Sequence, residues 1–160
     1  MYAGVYYAVT ASPGLHAFEF DATDCPDLFP PLVALAAFCK GTSVVRGAHR
    51  LRAKESDRAA ALSREFGALG IMVTVEDDIM RVAGIGPSVG LSGALRNSNR
   101  EPVRVSSHGD HRIAMAAAVA ALALGRQVRI DGASAVAKSW PGFFSDLESI
   151  RQSDVEGRNG

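Results

Sequence analysis

The sequence is poor in cysteine, in tryptophan and in net charge, and it contains no long apolar run. Among 160 residues there are 2 cysteines and 1 tryptophan, and aromatic side chains make up 7%. No metal-ligand spacing connects Cys25 and Cys39, and two thiols cannot build the framework of a small disulfide-stapled secreted domain. Reduced thiols in a cytosolic (cytoplasmic) protein are expected. The 17 basic side chains balance 17 acidic ones, which argues against a general nucleic-acid or anionic-membrane surface. No stretch approaches the apolar length that crosses a bilayer. Residues 1–10 are apolar and aromatic but lack the basic n-region of a signal peptide. They read as a strand or half-helix, part of an N-terminal remnant over 1–17. With no net charge to exploit, any cation that matters must act locally.

What is present is the composition of one ordinary globular domain, 48% apolar and 21% charged. Phe18, Phe20 and Ala22 alternate with Glu19 and Asp21, the pattern of a short strand. Pro30 and Pro31 suit the first turn of a helix carrying Leu32, Leu35, Ala36 and Phe38, with Gly41 as its stop. A β-branched strand is expected over 42–46. From Glu55 onward, Ala59, Leu62, Phe66 and Leu69 recur at helical spacing until Gly70. Two strands, 71–75 and 79–82, flank an acidic turn. Residues 84–101 read as a connecting loop or hairpin. Beyond it come a strand at 103–105, a helix from Asp110 to a stop at Gly125, a strand at 128–130 and a helix over 141–150. The domain proper spans 18–150, with a polar, frayed tail over 151–160.

This order, strand-helix-strand-helix-strand-strand and then strand-helix-strand-helix, is an internal repeat in an α/β (α+β) protein. Gly41 and Gly125 stand 84 apart (125 − 41), as do Lys54 and Lys138 (138 − 54), while Asp27 and Asp110 differ by 83 (110 − 27). Such units stack on one another to bury their faces.

The chemistry-bearing residues fall at the expected helix starts: Asp27, the cluster Lys54-Glu55-Ser56-Asp57-Arg58, the cluster Asp110-His111-Arg112, and Lys138. Helix N-termini present unpaired N–H groups and a positive dipole end. If the units stack side by side, these starts converge with Lys54, Arg58, Arg112 and Lys138 on one face. That face suits phosphate or carboxylate, which Arg grips in a bidentate fashion. Taken singly, each position has a plainer reading. Glu55 and Arg58 can pair at i, i+3 on a solvated first turn. Asp110 can be a simple cap, Asp27 a turn residue, Lys138 a surface lysine and Trp140 a core aromatic. His108, Asp110 and His111 form a weak metal candidate with no further ligand at a useful spacing.

Four segments together resemble one family. They are Asp24-Cys25-Pro26-Asp27, Arg52-Ala53-Lys54-Glu55-Ser56-Asp57-Arg58, Asp110-His111-Arg112-Ile113-Ala114-Met115 and Lys138-Ser139-Trp140-Pro141. In order and spacing they are similar to the 5-enolpyruvylshikimate-3-phosphate synthases, from about Phe18 to Ile150. The sister family of UDP-N-acetylglucosamine enolpyruvyltransferases shares the fold but not the Lys-Glu-Ser-Asp-Arg and Asp-His-Arg-x-Ala-Met pair. The resemblance implies an inside-out α/β barrel domain built from repeated βαβαββ units, about two of them present. It also implies a C-terminal part whose N-terminal partner domain lies elsewhere.

The activity implied is transfer of the enolpyruvyl group of phosphoenolpyruvate to the 5-hydroxyl of shikimate 3-phosphate. Phosphate is released through a tetrahedral ketal, with no metal or organic cofactor. By motif, Asp27 is expected at the shikimate hydroxyl as ligand and base, and Glu55 exchanges a proton with the methylene carbon of phosphoenolpyruvate. Lys54 faces the shikimate phosphate, while Arg58, Arg112 and Lys138, with His111 beside them, hold phosphoenolpyruvate. Alternatives left open are a non-catalytic α/β binding or assembly domain, and an enolpyruvyltransferase acting on another substrate.

Overall fold

The computed structural model describes residues 14–51, 57–86 and 101–156, with side chains up to residue 149. A first unit runs β1 (Glu19–Asp21), a 3₁₀ turn (Pro26–Leu28), α1 (Phe29–Ala36), β2 (Lys40–Arg46) and a 3₁₀ turn (Ala48–Leu51). It continues through α2 (Arg58–Ala68), β3 (Met72–Glu76) and β4 (Ile79–Ile85). A second unit runs β5 (Val103–Ser106), α3 (His111–Leu124), β6 (Val128–Asp131), a 3₁₀ turn (Ala133–Lys138) and α4 (Phe143–Glu156). The strands form a four-stranded sheet in the order β1-β2-β4-β3 and a two-stranded sheet of β5 and β6.

The expected repeat is visible in strand register. In the first unit β1 lies parallel to β2 with Glu19 opposite Val44, and in the second β5 lies parallel to β6 with Val103 opposite Val128. Both crossovers therefore span 25 residues (44 − 19 and 128 − 103), and the two units are offset by 84 (103 − 19 and 128 − 44). The glycine markers share that offset of 84 and a positive φ, +102° at Gly41 and +63° at Gly125, but they lie in different elements. Gly125 closes α3 in a left-handed conformation, whereas Gly41 lies inside β2. Helix α1 ends before Gly41 because the chain tightens into 3₁₀-type bonds, Phe38 N–H to Leu35 and Cys39 N–H to Ala36, and enters β2 at Lys40.

Two further boundaries and one exposed side chain differ from expectation. Strand β4 continues to Ile85, so only part of the segment taken as a connecting loop remains, and residues 87–100 of it lie outside the described residues. Its length is set by full antiparallel pairing with β2, from Arg46 opposite Ile79 to Lys40 opposite Ile85. Gly84 makes this possible, since a Cβ there would collide with the carbonyl oxygens of Cys39 and Ala36, the latter at 2.7 Å. Helix α4 extends to Glu156, six residues past its expected end. Phe20 keeps 37% of its surface exposed on the edge strand β1, although Phe18 packs against the core and Ala22 is buried in it.

The main core gathers Phe29 and Val33 of α1, Leu62 and Phe66 of α2, Met80 and Val82 of β4, and Ile113 of α3. Helix α2 follows the expected stripe. Ala59, Leu62 and Phe66 are buried, and Asp57 caps it by accepting from Ala60 N at 3.0 Å. Helix α3 is buried on two sides. Ala116, Ala117 and Ala120 face the main core, while Ala114 and Ala118 pack on Val136 and Phe143. Alanine suits that position, since small side chains let three elements approach one helix while keeping high helix propensity.

Candidate active site

Helices α1, α2 and α3 bring their N-terminal ends together. Asp27 lies in the 3₁₀ turn that leads into α1, Arg58 is the first residue of α2, and Asp110 is the N-cap of α3 with Arg112 just inside. Arg58 donates from Nε to Asp110 Oδ2 at 2.7 Å and from Nη1 to Asp27 Oδ1 at 3.0 Å. Arg112 donates from Nη2 to the other oxygen of Asp27 at 2.8 Å, and its backbone N–H is capped by Asp110 Oδ1 at 2.9 Å. Two carboxylates and two guanidiniums thus form one chain, Asp110–Arg58–Asp27–Arg112.

Burial grades this chain from inside to outside. The side chains of Arg58 and Asp110 are each 5% exposed, Arg112 is 33% exposed and Asp27 50%. A buried guanidinium is tolerated only where its donors are taken up, and Arg58 meets that condition through two carboxylates. Arg112 and Asp27 are the outer, exchangeable pair. They sit at one end of a groove of about 410 Å³ that runs between α1 and α3 past Pro31, Leu35, Met115 and Val119. An arriving anion therefore meets an arginine whose present partner is a half-exposed carboxylate.

A second charged set supports the first. Glu65, two turns after Arg58 on α2, accepts from Ser106 N at 2.8 Å through Oε2, and its Oε1 meets His108 Nε2 at 2.7 Å. On another side, Asp78 in the β3–β4 turn accepts from His49 N at 3.0 Å and also contacts the His49 ring. The His49 backbone N–H, then the ring, hold the Asp78 carboxyl below its ordinary value of 3.8. This bond tethers the 3₁₀ turn Ala48–Leu51, from which the chain enters the segment carrying Lys54 and Glu55.

Of the residues expected at the site, Asp27, Arg58 and Arg112 are joined by direct bonds. Lys54 and Glu55 lie outside the described residues. His111 is the first residue of α3 and is partly buried. Lys138 does not open a helix. It ends the 3₁₀ turn Ala133–Lys138, ahead of α4, because Ser139 and Trp140 bond back to Val136 and close the turn there. Its side chain is exposed and forms no ion pair among the described residues. Trp140 is not a core aromatic. It is 48% exposed and donates from Nε1 to Asp146 at 2.9 Å. His108 and Asp110 turn to different partners, and among the described residues no three His, Cys, Asp or Glu side chains are grouped to hold a metal ion.

The chain matches the sequence profile of the family described as EPSP synthase (3-phosphoshikimate 1-carboxyvinyltransferase) over residues 4–147. The chain belongs to the EPSP synthase family. It is 38% identical to the 3-phosphoshikimate 1-carboxyvinyltransferase of Aeropyrum pernix over 147 residues, 92% of this chain and 31% of that protein. It is 44% identical to the Synechocystis enzyme of the same name over 126 residues, 79% of this chain and 26% of the relative. The EPSP synthase structure from Acinetobacter baumannii superimposes with a TM-score of 0.59 at 34% identity, covering 76% of this chain and 26% of that one. The enolpyruvyl transferase NikO from Streptomyces tendae, at 22% identity and a TM-score of 0.61, covers 87% of this chain and 29% of its own and shares the fold. The mixed α/β architecture is thus that of the enolpyruvyltransferases. The chain spans about 31% of the length of the first of these relatives.

One contributor, Glu65, was not singled out from sequence. Asp110 stood there in the helix-start cluster, with a simple cap as its plainer reading, yet its second oxygen is the buried partner of Arg58. His108 was named only as part of a weak metal candidate, and its ring instead meets Glu65. Glu65 did leave a signal: it sits seven positions after Arg58, on the same face of α2, where an unpartnered charge would be costly.

Proposed function

We propose that this chain carries one wall of the active site of a 3-phosphoshikimate 1-carboxyvinyltransferase. Its substrates are phosphoenolpyruvate and shikimate 3-phosphate, and the opposite wall comes from the N-terminal domain of the same enzyme. The observation that carries this reading is Asp27 bridging Arg58 and Arg112 where three helices begin. Both substrates are polyanions, and a site that desolvates them needs fixed cations already in place.

In this reading the carboxylate of phosphoenolpyruvate displaces Asp27 from Arg112, which holds it in a bidentate grip. Displacement matters for chemistry as well as binding. A carboxylate that accepts from two guanidiniums is a poor base, and release from Arg112 restores its basicity toward the shikimate 5-hydroxyl. Glu55 delivers a proton to the methylene carbon of phosphoenolpyruvate, and C2 acquires positive character. The 5-hydroxyl oxygen bonds to C2 while its proton passes to Asp27, giving the tetrahedral ketal. Glu55 then withdraws a proton from the methyl carbon, the C2–O bond to phosphate breaks, and the double bond is restored as inorganic phosphate leaves. Lys54 pairs with the shikimate phosphate, and Lys138 and His111 complete the anion-holding face. No metal or organic cofactor enters these steps. Cys25 and Cys39 are free thiols, which fits a reducing cytoplasm.

Calorimetric titration with phosphoenolpyruvate tests the assignment. Arg112→Ala is expected to weaken binding about tenfold or more, the loss of one charge-assisted bidentate contact. Unchanged affinity in Arg112→Ala would remove the basis for the reading.

A further inference from the structure

We propose that Glu65 and His108 are positioning residues, holding the turn between β5 and α3 so that Asp110 fixes Arg58 and the start of α3 presents Arg112. The inference rests on the functional reading above only for the ligand; the positioning itself is a matter of geometry.

The turn adopts an unfavourable conformation. His108 has φ +51°, a left-handed value that non-glycine side chains seldom take, and Gly109 follows at φ +75°. Two successive left-handed residues reverse the chain between Ser107 and Asp110, whose N–H bonds back to the Ser107 carbonyl at 2.9 Å. Because the backbone resists this shape, something else must hold it, and strain of this kind is a reason to look for function.

What holds it is α2. Arg58 and Glu65 lie seven residues apart (65 − 58), two turns along one helix face. Both side chains are buried, and both reach across to the same turn. Arg58 takes Asp110 at the far end, while Glu65 takes Ser106 N and His108 Nε2 at the near end. A carboxylate can only accept, so His108 donates from Nε2. Ser107, also buried, pins the turn from below. Its N–H bonds to the Asp131 carbonyl at 2.9 Å and its hydroxyl to the Gly132 carbonyl at 2.9 Å. The turn is clamped on two sides, and the Ser106 and Ser107 hydroxyls accept from His108 N and Gly109 N, each at 3.1 Å; among the described residues only the Glu65–His108 contact acts on the strained residue through its side chain. Without it His108 can relax toward an ordinary φ, swinging Asp110 away from Arg58 and changing the direction of Arg112.

The test uses the purified chain, nitrogen-15 NMR of the Arg58 Nε–H, and calorimetry with phosphoenolpyruvate. His108→Ala is the cleanest probe, because it removes the side-chain contact and keeps the backbone penalty at φ +51°, whereas glycine would remove both. It is expected to accelerate hydrogen exchange at Arg58 Nε–H about tenfold and to weaken phosphoenolpyruvate binding about tenfold, the effect of losing one buried charge-assisted bond. Glu65→Ala should do the same. Glu65→Gln, which can accept from Ser106 and donate to a His108 ring of the other tautomer, should restore the protection lost in Glu65→Ala. A purely structural contact would leave Arg58 Nε–H unmoved. Folded His108→Ala with parental exchange at Arg58 overturns the proposal. Should the parent chain bind no phosphoenolpyruvate while His108→Ala still frees Arg58 Nε–H, the positioning role stands and the substrate assignment falls.

Discussion

In the proposed reaction, Asp27 is the residue on which binding and proton transfer meet. Its two oxygens are divided between a buried arginine and a partly exposed one, at 3.0 and 2.8 Å, while half of its own side-chain surface stays open. Those facts make it a competitor of any incoming anion. Replacing it with Asn keeps the shape and removes the charge, so the competition ends while the base is lost. Asp27→Asn is therefore expected to raise phosphoenolpyruvate affinity several-fold, and to lower turnover of the assembled enzyme about a hundredfold or more, the usual contribution of a positioned base. Titration calorimetry and a phosphate-release assay read the two effects separately. A fall in affinity would show that Asp27 is needed to orient the arginines rather than to compete with the ligand. The sequence disclosed this residue through its motif, but its sharing between Arg58 and Arg112 depends on separations of 31 and 85 residues that no local pattern encodes.

At the scale of elements, legibility followed periodicity. The stripe Ala59, Leu62, Phe66 and the alternation of Met80 and Val82 around Arg81 were plain in the sequence because each element buries one face. Where a tertiary contact decided the outcome, the pattern misled. Gly41 looked like a helix stop, but β2 starts at Lys40 because its partner β4 extends that far. Lys138 looked like a helix start, but the chain turns there without entering α4. The tether between the β3–β4 turn and the 3₁₀ turn Ala48–Leu51 is another contact of this kind, 29 residues apart in sequence. Asp78 is held below its ordinary value of 3.8 chiefly by the His49 backbone N–H. A carboxyl lowered on folding stabilises the fold fully above the unfolded value and loses that contribution as pH falls through the folded one. The tether should therefore loosen only below about pH 4. Asp78→Asn should lower the melting temperature slightly at neutral pH and flatten its fall in that acid window. Parallel melting curves for parent and variant from pH 2 to 7 would show the tether to be without weight.

For the molecule as a whole, the charge balance at the convergent helix ends sets what this chain can do by itself. The described site holds two guanidiniums against two carboxylates, so its net charge is close to zero before any ligand arrives. One anion can be accommodated by exchange with Asp27. A second polyanion has no comparable exchangeable arginine among the described residues, and the groove beside the site is lined mainly by Pro31, Leu35, Phe38, Met115 and Val119. The repeat and the motifs made the two-unit architecture legible in the sequence. The neutral balance was not legible, because it comes from Asp110 facing inward and cancelling Arg58. Transfer between two bound anions further requires that both be fixed in one geometry, a requirement that, in the proposed function, this wall alone does not meet. The 160-residue chain is therefore expected to bind phosphoenolpyruvate alone and to show no phosphate release with shikimate 3-phosphate. Adding the N-terminal domain of a relative in trans should restore release, and Arg112→Ala should abolish it again. Turnover by the isolated chain at rates typical of enzymes, roughly 10 per second, would mean that the described residues and the segment around Glu55 already form a complete site.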